Sequence, residues 1–268
     1  MLVSQILLAT LAAGIGSVWL AAFLSYFALS RFNQHLLSLA AGALLSTAFM
    51  NLLPEAFEAA AKLSIESHAL FTALLAGLVF FFLLDKAELY HHGHEHSHDH
   101  HAHDHHHHNH GHSHSQAAHS YSAHGGSWAV LFGDSIHSFG DGVVIAAAFM
   151  VSPQLGWAAA LAVLAHEVPH HMGDLIVVGQ GRRSALLKVT LAGTVTALGG
   201  LAGYWLLAQL SHFLPYFLVV AGSSFIYVAL ADLIPQLQRR MSLSETLKQV
   251  TWLLAGMGLV AAVTQISH

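Results

Sequence analysis

Long apolar segments separated by short polar connections make up most of the chain. An apolar run of about 20 residues can cross a bilayer as an α-helix. The pattern therefore predicts an all-α integral membrane protein with eight transmembrane helices. The apolar segments are residues 2–29, 36–61, 68–87, 127–150, 154–178, 185–210, 213–236 and 250–267.

Composition supports a membrane protein without recourse to any motif. The 268 residues are 55% hydrophobic and 9% charged, whereas soluble domains average about 25% charged residues. The absence of cysteine excludes disulfides and thiolate metal sites. A formal charge of −5 without a basic block argues against a nucleic-acid partner. No Lys or Arg precedes Arg31, so we expect the first segment to be retained rather than cleaved as a signal peptide.

The distribution of basic residues predicts the orientation. If the N-terminus is outside, only Lys62 among the nine Lys and Arg residues falls in an outside loop. Cytoplasmic loops carry an excess of Lys and Arg, so we predict that both termini are outside and that the protein lies in the cell (inner) membrane. The predicted cytoplasmic basic residues are Arg31, Lys86, Arg182, Arg183, Lys188, Arg239, Arg240 and Lys248.

Segments two and seven end in similar pentapeptides. The second ends in NLLPE (residues 51–55) and the seventh in DLIPQ (residues 232–236). These segments run in opposite directions in the predicted topology, as in the inverted repeats of secondary transporters. A chance match, with each proline acting as an ordinary helix stop, is the open alternative.

A histidine-rich insert, residues 91–124, separates a membrane region at 1–90 from another at 125–268. It holds 17 of the 25 histidines and cannot form a packed core, so we predict a disordered cytoplasmic loop. Its imidazoles, mostly neutral at pH 7, are available to zinc-like metals. The alternative is a polar linker whose removal changes little. The candidate loop ligands are His94, His96, His98, His100, His103, His105, His106, His107 and His108.

Two polar motifs lie in the middle of segments four and five, HSFGDG (residues 137–142) and HEVPHHMGD (residues 166–174). Residues at i and i+4 share a helix face. The pair in segment four and the pair in segment five can therefore converge between the two helices as a four-ligand set of the kind that zinc favours. The predicted ligands of this primary site are His137, Asp141, His166 and His170.

Three residues near these pairs shape the predicted site. Gly140 and Gly142 should permit close approach of a neighbouring helix. Pro169 should bend helix five and free a backbone carbonyl.

Further polar residues around the motifs are candidates for a second site or for the ion pathway. Glu167 and His171 form another i,i+4 pair, turned about 100° from the first. Packing or helix capping is an equally open role for each candidate. The full set is Ser138, Glu167, His171, Asp174, Asp134 and Asn51.

Two alternatives compete with an ion-binding role for the motifs in transport. The polar residues could lock two helices together through buried hydrogen bonds. Residues 166–170 also fit H-E-x-x-H, in which Glu is the general base of a zinc protease. Pro169 inside that motif would distort its helix, and a fourth protein ligand such as Asp141 would close the position that a catalytic water needs. We therefore do not expect an enzyme.

The two motifs resemble those of the ZIP (Zrt/Irt-like) metal transporters. The helix-four pattern of that family is H-N-x-x-D/E-G and the helix-five pattern of its closest branch is H-E-x-P-H-E-x-G-D. The resemblance extends to GALL with LLP in helix two (residues 42–45 and 52–54). It also covers FIYVAL with DLIP in helix seven (residues 225–230 and 232–235), and thus most of the chain.

The resemblance implies uptake of zinc toward the cytoplasm, with iron, manganese and cadmium as further candidate ions. It implies the primary site named above and a homodimer in the lipid membrane. In that dimer helices 1, 4, 5 and 6 move against helices 2, 3, 7 and 8. Three departures favour a single transported Zn²⁺ over two: Ser138 replaces Asn, His171 replaces Glu, and helix six lacks a carboxylate. A metal exporter or nickel/cobalt-type permease is the alternative function.

Overall fold

The chain is described by a computed structural model that covers residues 1–26, 33–93, 126–177, 182–237 and 242–266, and all its regular elements there are helical. Eleven α-helices occur within these ranges, with two π-helical turns (Ala12–Gly16 and Thr47–Leu52) and one 3₁₀ turn (Ser211–Phe213). The α-helices are α1 (Leu2–Leu11), α2 (Ser17–Tyr26), α3 (Asn33–Ser46), α4 (Leu53–Lys62), α5 (Ser67–Gly93), α6 (Gly126–Val151), α7 (Pro153–Val177), α8 (Arg182–Gly193), α9 (Val195–Gln209), α10 (Leu214–Leu237) and α11 (Leu243–Ile266).

Each of the eight predicted apolar segments coincides with one helix or with two consecutive helices. A π-helical turn joins α1 to α2 and another joins α3 to α4, while Thr194 separates α8 from α9. The remaining segments correspond to α5, α6, α7, α10 and α11. The predicted all-α membrane fold is therefore confirmed, whereas the inverted repeat and the division into regions at 1–90, 91–124 and 125–268 stay predictions.

Helix ends differ from the apolar boundaries where capping decides them. The apolar pattern predicts the eighth segment from residue 250, but α11 begins at Leu243. Ser242 Oγ accepts from Glu245 N at 3.3 Å, and Glu245 Oε2 accepts from Ser242 N at 2.9 Å. This reciprocal capping box starts the helix two turns before the apolar stretch. The helix α5 also extends beyond its apolar segment, since it continues to Gly93 rather than ending at residue 87.

Among the described residues, six helical stretches are long and apolar enough to cross a membrane, and a shorter apolar one spans Ser135–Val151. The polar motif of α7 keeps that helix out of this group. Large apolar side chains on α5 point away from the bundle, including Phe71, Leu75 and Leu83 at 57–63% exposure. Soluble monomers rarely expose such continuous apolar patches, so this face is suited to lipid.

Glycines bring α6 and α9 into backbone contact. A Cβ on Gly142 would overlap the Thr196 carbonyl oxygen, and a Cβ on Gly199 would overlap that of Phe139. The prediction for Gly142 therefore matches the structure. Gly140 differs, because nothing lies within 4 Å of the position of its Cβ. It is exposed and borders open space.

A second tightly packed pair consists of α3 and α11. A Cβ on Gly42 would overlap the Leu253 carbonyl oxygen, and one on Gly256 would overlap that of Leu39. Between these pairs, α7 packs against α6 on one side and against α3 on the other. The two motif-bearing helices thus lie next to each other, and α7 is in the middle of the bundle.

Candidate metal centre

Four side chains from α6 and α7 converge in the interior of the bundle. His137 and Asp141 are one turn apart on α6, and His166 and Glu167 are consecutive on α7. Each can place one ligand atom within 4.8 Å of all the others. The side chains of Asp141, His166 and Glu167 are 1–3% exposed and that of His137 is 29% exposed. The site is thus enclosed except near His137.

The separations between ligand atoms match a four-coordinate zinc ion. His166 Nε2 lies 3.2 Å from Asp141 Oδ2, 3.4 Å from Glu167 Oε1 and 3.2 Å from His137 Nε2. His137 Nε2 lies 3.7 Å from both of those carboxylate oxygens. Ligands about 2.0–2.1 Å from a tetrahedral zinc are about 3.3 Å from one another. An ion of that size fits with small adjustments.

The tautomer of His166 suits metal binding. Its Nδ1 lies 3.2 Å from the Ala162 carbonyl oxygen, one turn back on α7. Because a carbonyl can only accept a hydrogen bond, Nδ1 is the nitrogen that carries the proton. The Nε2 lone pair then points toward Asp141 and His137, and such an N–H to carbonyl contact commonly orients a metal-bound imidazole.

Three buried carboxylate oxygens in the site lack a hydrogen-bond partner. They are Asp141 Oδ2 and both oxygens of Glu167. Buried anionic oxygens are costly unless paired or bound to a metal. A cation between the four side chains would pair with Asp141 Oδ2, Glu167 Oε1 and the two imidazole nitrogens at once.

His170, the fourth ligand predicted from the sequence, lies beside this cluster. Its ring centroid is 6.1 Å from that of His137 and 5.9 Å from that of His166. Unlike the other members it is exposed. The structure thus brings together His137, Asp141 and His166 as predicted, adds Glu167, and places His170 at the edge.

The other predicted site residues occupy several environments. Ser138 is 1% exposed and its hydroxyl has no hydrogen-bond partner. His171 is buried, with Nε2 2.9 Å from Glu167 Oε2. Asn51 is half-buried within the π-helical turn Thr47–Leu52. Asp134 and Asp174 lie in the helical backbone of α6 and α7, but their side chains are outside the described part of the structure, as are all the candidate loop histidines.

The structure also identifies neighbours that helical spacing alone did not assign to the site. Phe225 of α10 is 1% exposed, and its ring centroid lies 6.5 Å from that of His166. It forms an apolar wall that keeps water from this side of the site. The Ala162 carbonyl that accepts from His166 Nδ1 could be found in the sequence only from its spacing, four residues before His166.

Comparison with known proteins identifies the family. A family model described as "ZIP Zinc transporter" matches residues 2–264. This chain belongs to the ZIP zinc transporter family. Its motif resemblance to ZIP proteins is thereby confirmed.

Curated relatives of this ZIP protein carry zinc transporter names. It is 34% identical to "Zinc transporter foi" of Drosophila melanogaster over 141 residues, which is 51% of this chain and 20% of that protein. It is 39% identical to "Zinc transporter ZIP4" of Homo sapiens over 111 residues, 40% of this chain and 17% of ZIP4. It is 34% identical to "Zinc transporter ZIP5" of Homo sapiens over 159 residues, which is 56% of this chain and 29% of ZIP5. The matched part thus spans less than a third of each relative.

Proposed function

We propose that this ZIP protein carries Zn²⁺ across the membrane toward the cytoplasm and holds one ion at a time between α6 and α7. The ligands of the held ion are His137, Asp141, His166 and Glu167, and His170 is the donor that the ion meets on the exit side. The observation that carries this proposal is the convergence of four ligand atoms at separations of 3.2–3.7 Å around His137 and His166.

The charge of the site suits one divalent cation. Two ionised carboxylates, Asp141 and Glu167, contribute −2, and imidazoles that bind a metal are neutral. A single Zn²⁺ therefore brings the net charge of the buried cluster to zero. A second divalent ion would leave an excess of +2 in a low-dielectric interior, which is strongly unfavourable.

The exposure of the ligands gives the site an opening on the predicted cytoplasmic side. In the predicted orientation, His137 is one turn nearer the cytoplasm than Asp141, and His170 is one turn nearer than His166. In both pairs the residue nearer the cytoplasm is the more exposed one. Gly140 adds open space on the same side. An ion leaving Glu167 would meet His170 next, so His170 serves as the ligand on the exit side.

Helix packing is consistent with two groups of helices that move relative to each other. Backbone contacts at glycine join α6 to α9 within one group and α3 to α11 within the other. We propose that helices 1, 4, 5 and 6 move together with the ion against helices 2, 3, 7 and 8, in a homodimer embedded in lipid. The His-rich loop faces the cytoplasm and binds additional zinc there.

Export, nickel/cobalt permeation and proteolysis are the competing functions. Export predicts zinc depletion in cells that produce the protein, whereas uptake predicts accumulation. Iron, manganese and cadmium are further candidate ions, and their inhibition of zinc uptake would rank the preference of the site among them. The protease alternative is disfavoured, because Asp141 and Glu167 together with the two histidines leave no open coordination position for a catalytic water.

Metal flux in reconstituted vesicles and in cells tests the proposal. Purified protein in proteoliposomes should take up zinc from a panel of divalent ions, and cells producing it should accumulate zinc. His166→Ala should nearly abolish both signals at equal membrane abundance. Absence of zinc flux in the unmodified protein, or undiminished flux in His166→Ala, would refute the proposal.

A further inference from the structure

His171 is a buried polar residue that the transport proposal leaves without a role. It is 0% exposed and lies one turn after Glu167 on α7. Its Nε2 is 2.9 Å from Glu167 Oε2, whereas Glu167 Oε1 faces His166 and His137 at 3.4 and 3.7 Å. The Glu167 carboxylate therefore lies between the ion site and His171, with one oxygen directed toward each.

We propose that His171 is a positioning residue that occupies one oxygen of Glu167, so that this carboxylate coordinates the ion through Oε1 alone. The inference rests on the proposed transport function. The two atoms lie 2.9 Å apart without the alignment of a hydrogen bond. A small rotation of the His171 ring would let Nε2 donate to Oε2, since an ionised carboxylate can only accept, and Nε2 is then the protonated nitrogen. A protonated ring nitrogen cannot coordinate a metal, which makes His171 a partner of Glu167 rather than a ligand.

Holding Oε2 limits the number of oxygens that the site offers. With one oxygen each from Asp141 and Glu167 and one nitrogen each from His137 and His166, the ion has four ligands, the number that Zn²⁺ favours. Mn²⁺ favours carboxylate and other oxygen ligands in six-coordinate sites. If Glu167 could turn and bind through both oxygens, the coordination number would rise and the preference for zinc would fall.

The same contact opposes a second ion. In two-metal sites the ions lie about 3.5–4 Å apart, close enough for one carboxylate to bridge them with one oxygen on each. His171 Nε2, at 2.9 Å from Oε2, occupies the place from which a second ion would bind that oxygen. His171 therefore acts on selectivity and on ion number through Glu167.

Transport kinetics of the full chain in proteoliposomes test this role, with Zn²⁺ and Mn²⁺ as the probes. His171→Leu removes the N–H and replaces the ring with an apolar side chain of similar size. His171→Gln keeps an N–H donor near the position of Nε2. Met172→Leu, at the neighbouring buried position, is the control for general disturbance of α7.

In His171→Leu, the KM for zinc should rise about 10-fold or more, as is usual when the partner of a metal ligand is lost. The maximal rate of zinc uptake should equal that of the unmodified protein, because weaker binding does not slow release of the ion. Inhibition of zinc uptake by Mn²⁺ should strengthen, because Glu167 could then bind through both oxygens and offer the additional oxygen ligand that Mn²⁺ favours. His171→Gln should restore both values toward those of the unmodified protein, and Met172→Leu should change neither.

Three results would overturn the inference. The first is unchanged zinc KM and Mn²⁺ inhibition in His171→Leu. The second is equal loss of function in His171→Leu and His171→Gln, which would make His171 a direct ligand or a structural residue. The third is absence of zinc transport in the unmodified protein, which would refute the proposed function as well. The first two leave the proposed function standing, because they require zinc transport by the unmodified protein in the same preparation.

Discussion

Replacing Asp141 by Asn tests the metal centre most directly, since the change keeps the shape of the side chain and removes its charge. The side chain is 3% exposed, its Oδ2 lies 3.2 Å from His166 Nε2, and that oxygen has no hydrogen-bond partner. Stabilisation of the carboxylate must therefore come chiefly from the bound cation. Breaking a buried pair of charges by removing one partner costs about 3–5 kcal/mol.

That free energy corresponds to a loss of about 150- to 5,000-fold in zinc affinity, at about 1.4 kcal/mol for each factor of ten. Asn retains a carbonyl oxygen that can still coordinate zinc, so the loss of affinity should lie at the lower end of this range. The KM for zinc should therefore rise at least about 100-fold. The loss reflects the site's charge, which falls from −2 to −1 and no longer neutralises Zn²⁺.

The assay is initial zinc uptake into proteoliposomes over a range of zinc concentrations, normalised to reconstituted protein. Glu58→Gln is a matched control, because it makes the same chemical change at an exposed position of α4. It should leave the KM unchanged. A KM for zinc in Asp141→Asn within a few-fold of the unmodified protein would refute the placement of the ion at this carboxylate.

Three further predictions concern the loop, the packing and the topology. Deleting residues 93–123 should leave substantial transport and remove several weaker zinc-binding equivalents in calorimetry; complete loss of transport in a folded deletion would place the loop in the pathway. Gly142→Ala should destabilise the protein by about 1–3 kcal/mol through overlap with the α9 backbone, whereas Gly140→Ala should not, as measured by denaturant unfolding in detergent. The reverse order would contradict the α6–α9 contact. Cysteines introduced at Ser211 and Ser115 should react with impermeant reagents from opposite sides, Ser211 from outside, and labelling of both from one side would refute the eight-helix topology.

The membrane fold could be predicted from the sequence because its signal is local. Each apolar segment is long enough to cross the hydrocarbon core, and backbone groups there must be satisfied within the segment, which leaves the helix as the only open option. The i,i+4 spacing likewise predicted that His137 and Asp141 share a helix face. Their contact with His166 followed from the matching depths of the two motifs.

The membership of the site depended on tertiary structure. Helical spacing directs the Cα–Cβ bond of Glu167 about 100° away from that of His166, yet the carboxylate reaches the same cluster through its flexible stem. His170, on the expected face, lies at the exposed edge instead. A helix projection fixes where a side chain starts but not where its end lies, and for long side chains the packing of the surrounding helices decides that.

The two glycines of α6 show the same limit. Gly140 and Gly142 are equivalent in the sequence as sites of close approach, but only Gly142 contacts another backbone. The sequence by itself predicted that α6 and α7 cross the membrane and carry polar groups to its middle, because hydropathy and helical period act along a single segment. Two features were decided only by the tertiary structure: which face of α6 meets α9, and which oxygen of Glu167 faces His137 and His166 and which faces His171. These contacts join residues from different helices or depend on side-chain torsions set by packing.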